Sequence, residues 1–262
     1  MNFILGGFDT EMKEIETILK SKGYTIEYAK KNGNRVQRRE AYLADSPKPK
    51  AGQVWIECSH LDYTKKEMKS LGIEVVDHHN PGDPGYGRSP LEYFESSSIG
   101  QMHQLIGLKA TERSKLIAAA DHCLRLAYES QCPGIDRDTL RDFRLAFYKH
   151  HNPMDMMRKV KSAIVDCPDI EINGSIVKDI SLLPKKYNMW LTEVSCYWGL
   201  RTFKLTKKDK GYKAFLVNLS ALDIQHFIDT QCHKFGVVSD VYGDPKRQFA
   251  GCFYSDIYGN RT

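Results

Sequence analysis

An α/β architecture, with a parallel sheet flanked by helices and then a smaller α+β domain, is what the sequence predicts. Strand-like and helix-like segments alternate through the first half of the chain. Acidic and histidine residues recur just after the strand-like segments. From about residue 189 the texture changes to short aromatic and β-branched runs. Strands alternating with helices point to a parallel sheet covered on both faces. Such sheets collect functional groups beyond the carboxyl ends of their strands.

The apolar run NFILGGF (2–8) reads as a first strand. TEMKEIETILKSKG (10–23) sets Met12, Ile15, Ile18 and Leu19 at helical spacing and stops at Gly23. YTIEYA (24–29) is a second strand, and the polar stretch from Lys30 to Gln53 reads as a loop with some irregular structure. VWIECS (54–59) and IEVVDH (73–78) are strands on either side of a short helix at 64–72. Helical periodicity follows at 96–108, 111–130 and 136–151, with caps at Thr111 and Asp136. WLTEVSCYW, RTFKLTKK, YKAFLVNL, GVVSDVYG and FAGCFYSD then read as strands, interrupted by a helix at 221–236. The expected organisation is a first domain over 1–152, a connection over 153–187 holding Pro153, Pro168 and Pro184, and an accessory domain over 188–262. Met154, Met156 and Met157 read as packing residues.

The chain has 262 residues, 41% hydrophobic and 27% charged, which excludes wholesale disorder. A net charge of +5 is compatible with an anionic ligand but supplies no dense basic stripe for long nucleic acid. Seven cysteines without a CxxC pair point to free thiols in a reducing cytosol. No apolar run approaches the roughly 18 residues that span a membrane, so a cytoplasmic, soluble protein is expected.

Four clusters carry metal-competent side chains. Asp9 and Glu11 follow the first strand, Glu57 follows VWI, Asp77-His78-His79 follows IEVV, and Asp121-His122 lies in an apolar helix. Carboxylate oxygens suit Mn²⁺ or Mg²⁺, with imidazole favouring manganese. A buried Asp-His pair can equally be a satisfied core hydrogen bond, since a carboxylate among alanines needs some partner.

With its clusters in this order, the chain resembles the DHH phosphoesterase superfamily, named for the triplet that is here Asp77-His78-His79. That superfamily includes manganese-dependent pyrophosphatases, RecJ-type exonucleases, oligoribonucleases and cyclic-dinucleotide phosphodiesterases. The likeness covers roughly residues 1–130. It implies that His78 binds a metal, that His79 contacts substrate phosphate or acts as an acid, and that Asp77 orients its neighbours. Asp121 would be a further ligand, Asp9 and Glu11 the paired acids of the first motif, and Glu57 the bridging acid of the second. The implied cofactor is Mn²⁺ or Mg²⁺, two ions or one.

Three departures stand out. Leu5 occupies the place where the family has a histidine, Glu11 replaces an aspartate, and so does Glu57. His60, after the same strand as Glu57, is a candidate to replace that imidazole or to touch substrate. Arg88 in GDPGYGRSP, and Ser97 and Ser98 before a helix, are candidate phosphate contacts, against the alternatives of a solvated loop and a plain cap. Lys246 and Arg247, with Phe249 as a base-stacking ring, are candidates in VYGDPKRQFAGCF, against a simple β-hairpin. The activity implied is hydrolysis of phosphodiester bonds in a nucleotide-type substrate: a short oligonucleotide, or a cyclic or linear dinucleotide. The alternative is a nucleotide-binding regulator on the same scaffold. A homodimer is compatible with either reading.

Overall fold

The structure is a computed structural model and describes residues 1–208, 211–231 and 238–255. It divides into two units, Met1–Ile135 and Asp136–Thr262.

In the first unit, β1 (Asn2–Leu5), α1 (Thr10–Ser21) and β2 (Thr25–Tyr28) are followed by a small hairpin of β3 (Lys30–Lys31) and β4 (Asn34–Arg35). Then come β5 (Gln53–Ile56), α2 (Lys65–Ser70) and β6 (Glu74–Val76). The four longer strands form a parallel sheet in the order β2-β1-β5-β6. Phe3, Ile4, Leu5, Trp55 and Ile56 are fully buried, as unbroken apolar strands in a two-sided parallel sheet must be. The Trp55 indole N–H donates to Gln53 Oε1 (3.0 Å), so its polar tip is satisfied in the core. The stretch from 30 to 53 is not an open loop, since Val36, Ala41 and Ala44 pack with Ile4, Trp55 and Met68.

Helices α3 (Tyr93–Ser96), α4 (Ser98–Leu105), α5 (Glu112–His122) and α6 (Leu124–Tyr128) complete this unit. The helix expected over 111–130 is broken at Cys123, whose backbone leaves the helical region (φ −151°, ψ 43°). The break falls just after Asp121 and His122, consecutive residues that both reach His78.

The second unit holds α7 (Arg137–Leu145), α8 (Pro153–Val165), β7 (Asp169–Ile172), β8 (Ser175–Asp179), α9 (Leu191–Trp198), β9 (Thr202–Lys208), β10 (Gly211–Val217), α10 (Ala221–His226), β11 (Val238–Asp244) and β12 (Phe249–Ser255). Its sheet runs β11-β12-β10-β9-β8-β7, antiparallel except for β8 beside β9.

Three expectations are corrected here. The units divide at 135/136 rather than 152, because Leu145 of α7 packs with Met157, Val160 and Trp190 of the second unit. Residues 153–187 are no mere connection, since β7 and β8 form a hairpin at the edge of the sheet. Asn173 and Gly174 turn it with φ of 50° and 79°, the left-handed pair that an Asn-Gly hairpin supplies. WLTEVSCYW is a helix, with Leu191, Val194 and Ser195 buried on one side and Gly199 closing it in the left-handed conformation (φ 64°). Among the described residues no helix is long and apolar enough to cross a membrane.

Candidate metal centre

The parallel sheet delivers its strand ends to one edge. Glu57 follows β5, and its amide continues the ladder to Val76 O (2.9 Å). Its backbone is left-handed (φ 49°), a conformation that costs a non-glycine residue about 1–3 kcal/mol and clusters at functional sites. Gly6 permits this turn, because a Cβ there would lie 2.3 Å from Glu57 O.

Asp77 follows β6 and organises the triplet. Its Oδ1 accepts the amides of His78 (2.8 Å) and His79 (3.1 Å) and lies 3.0 Å from His79 Nδ1. Gln101 clamps the same backbone by donating to Asp77 O (3.0 Å) and accepting from Asp77 N (3.3 Å). Gly85 is held beneath, where a Cβ would come within 1.8 Å of Ser96 O and 2.8 Å of His78 Cβ.

These constraints bring Glu57, His78, His79 and Asp121 together, with one ligand atom from each within 4.8 Å of the others. His78 Nε2 is 3.0 Å from Asp121 Oδ2, and His79 Nδ1 is 3.9 Å from Glu57 Oε1. The His78 and His79 rings stack at 4.3 Å, and His122 meets His78 edge-on at 5.1 Å.

Glu11 is buried beside this group and accepts from Ile99 N (2.9 Å). Burial, then the Asp121 and Glu57 carboxylates, push its carboxyl well above the usual range. Burial likewise lifts Glu57 to about 7, with Asp121 and Asp9 adding to it and the His79 cation opposing. Burial opposes charge on His79. The hydrogen bond with Asp77 and the carboxylates of Glu57 and Asp121 outweigh it and carry the imidazole to about 9. Asp77 is itself pushed up by burial, yet His79 and Lys65 hold it below the ordinary value.

Buried carboxylates that raise one another's pKa beside imidazoles call for protons or a cation. Glu57 Oε1 is buried and makes no hydrogen bond. Mixed oxygen and nitrogen donors of this kind fit a divalent cation.

Asp9 borders the group without joining it. Its Oδ1 caps α1 through Met12 N (2.7 Å), and its Oδ2 faces Arg38 Nε (3.4 Å). His60 is held elsewhere: Nε2 donates to Asp45 O (3.0 Å), Nδ1 accepts from Asp62 N (3.2 Å), and the ring packs against Trp55 and Tyr63. Both ring nitrogens are used in these contacts. Arg88 lies on the surface 3.9 Å from Glu92. Ser97 is a plain helix cap, accepting from Gly100 N (3.1 Å) and donating to Phe94 O (2.8 Å). Ser98 is fully buried, and its Oγ makes no hydrogen bond.

In the second unit Lys246 and Arg247 lie in the β11–β12 turn, where Asp244 Oδ1 accepts the Lys246 amide (2.9 Å). Arg247 sits over the Phe249 ring at 5.7 Å. The arrangement is that of a hairpin whose aromatic ring is covered by its own cation.

Sequence reasoning missed the supports of Asp77. Tyr42 Oη donates to its Oδ1 (3.3 Å), and Lys65 lies 4.0 Å from its Oδ2 while pairing with Asp83. Outer-shell partners of this kind are worth about 10- to 100-fold in metal affinity. Lys65→Met is therefore expected to weaken Mn²⁺ binding by about that factor. A Mn²⁺ titration followed by thermal unfolding checks it, and an unchanged affinity would assign Lys65 to surface packing alone.

No family model matches the sequence, and no curated protein matches it. Among solved structures, the chain is similar to the pGpG-specific phosphodiesterase PggH from Vibrio cholerae, at 9% identity and a TM-score of 0.42, covering 97% of this chain and 92% of that one. It is also similar to RecJ from Thermus thermophilus, solved with Mg²⁺, at 12% identity and a TM-score of 0.38. That likeness covers 97% of this chain but 47% of RecJ, so the chain spans about half of RecJ's length.

Proposed function

We propose that this chain is a divalent-metal-dependent phosphoesterase of the DHH type, acting on phosphodiester bonds in a nucleotide-type substrate. The observation that carries the reading is the convergence of Glu57, His78, His79 and Asp121 from two strand ends and one helix end. Glu57, His78 and Asp121 would hold the ion, with Asp9 and Glu11 on the side where a second would be met. Mn²⁺ is the favoured metal because an imidazole joins the carboxylates. When bound, a divalent cation supplies Lewis-acid charge to a phosphoryl oxygen and acidifies water.

The chain's own residues supply the rest. His79 is aimed by Asp77, whose hydrogen bond to Nδ1 favours the charged imidazole, so Nε2 is left to hold a phosphate oxygen or to protonate the leaving oxygen. Arg38, beside Asp9 and exposed, adds positive charge where an anionic substrate would approach. The accessory role of the second unit, through Lys246 and Arg247, belongs to the same proposal, as does a cytoplasmic location.

The test is Mn²⁺-dependent hydrolysis of pyrophosphate, short oligoribonucleotides, and linear and cyclic dinucleotides, before and after EDTA. Turnover of a nucleotide substrate that EDTA removes and Mn²⁺ restores is the expected result. Pyrophosphate as the best substrate overturns the nucleotide assignment. Leu5, fully buried in β1 where the family's histidine would stand, favours a second reading as a nucleotide-binding regulator. That reading predicts thermal stabilisation by Mn²⁺ and nucleotide with no turnover of any of these esters.

A further inference from the structure

Six cysteines lie among the described residues, and two of them meet. Cys123 Sγ and Cys132 Sγ are 2.8 Å apart, with 5% and 2% of their residues exposed. The approach is built by the backbone rather than by the sulfurs. Cys123 occupies the break between α5 and α6, and α6 restarts from its carbonyl through Ala127 N (2.9 Å). Ser130 then reverses the chain in the left-handed conformation (φ 60°), and Gln131 N bonds back to Leu126 O (2.9 Å). The return sets Cys132 beside Cys123, and Ile135 N fixes the Cys132 carbonyl (3.2 Å).

We propose that Cys123 and Cys132 are a covalent modification site, a dithiol pair that closes to an intrachain disulfide on exposure to a hydroperoxide. A covalent S–S bond measures about 2.05 Å, so closure asks for a shift of less than about 1 Å between sulfurs already in contact. Burial selects the oxidant: a hydroperoxide is small enough to reach these sulfurs, whereas a glutathione-sized disulfide is not. One thiol takes oxygen from hydrogen peroxide to become a sulfenic acid, releasing one water. The second thiol attacks that sulfur, the S–O bond breaks, and a second water leaves with the disulfide formed. Two thiols lose two protons and two electrons, and the peroxide accepts both.

The site lies one residue beyond His122 and two beyond Asp121. Closure ties down the backbone break from which both reach His78, without touching either side chain. The pair stands whether or not the neighbouring cluster turns over phosphate esters.

The test uses the full-length protein after removal of reductant. It is treated with hydrogen peroxide, unfolded, alkylated and digested with trypsin. Cleavage after Lys115, Arg125 and Arg137 puts the two cysteines on separate peptides. The expected result is one cross-linked pair, 116–125 joined to 126–137, about 2 Da lighter than the sum of the free peptides and separated by dithiothreitol. Cys132→Ser should lose the cross-link and accumulate a dimedone-reactive sulfenic acid at Cys123. Recovery of both peptides alkylated, under peroxide that oxidises the half-buried Cys167, overturns the proposal, as does a cross-link from either cysteine to any other. The wild-type measurement stands alone if the variant fails to fold.

Discussion

Replacing His78 with alanine is expected to remove metal binding and every metal-dependent activity together. His78 is fully buried, stacks on His79, and lies 3.0 Å from Asp121 Oδ2. It joins both strand-end and helix-end contributions to the site. Losing a residue that would touch the ion should cost more than the about 10- to 100-fold that loss of an outer partner costs. Mn²⁺ binding by calorimetry, with the stabilisation of folding that binding confers, reads this directly. His78→Gln, which keeps most of the volume, separates loss of the donor set from a cavity in the core. Wild-type Mn²⁺ affinity in both variants would remove the metal centre from this cluster.

The second large effect is on stability and lies in the other unit. The Glu193 side chain is fully buried, and Arg144 Nε meets its Oε2 at 2.5 Å. Tyr148 Oη approaches the same oxygen at 3.5 Å. Breaking a buried ion pair from one side strands a charge and costs about 3–5 kcal/mol. Arg144→Ala should therefore lower the melting temperature of the second unit by roughly 9–15 °C, at about 3 °C per kcal/mol. Arg144→Ala with Glu193→Gln should lose less than Arg144→Ala alone, because no stranded carboxylate remains. Calorimetry of the two proteins decides it, and equal losses would show that Arg144 contributes through packing rather than charge.

Both outcomes bear on what the sequence makes legible. The parallel sheet is readable because β1, β5 and β6 carry the short apolar runs FIL, VWI and VV, closed by Gly6, Glu57 and Asp77. The convergence at its edge is readable for the same reason, since parallel strands point their carboxyl ends one way. Contacts that no local spacing records are not readable: Tyr42, Lys65 and Asp83 meet around Asp77 only because the 30–53 segment and α2 fold back on the sheet. His60 has the right residue type at a strand end, but the Asp45 carbonyl and Asp62 amide take both its nitrogens. Helix α9 resembles a strand by composition, because Trp, Tyr, Val and Thr favour sheets, while its apolar residues fall at helical spacing. The β7–β8 hairpin had a signal in Asn173-Gly174, masked by the prolines around it.

Glu57 holds a backbone conformation that glycine would adopt without steric strain. Glu57→Gly is expected to give a chain that resists chemical denaturation better than the parent and binds Mn²⁺ worse, the signature of a stability–activity trade-off. Screening a library of this protein for heat resistance alone would then drift toward glycine at this position. The same screen with a metal-binding readout would hold glutamate in place.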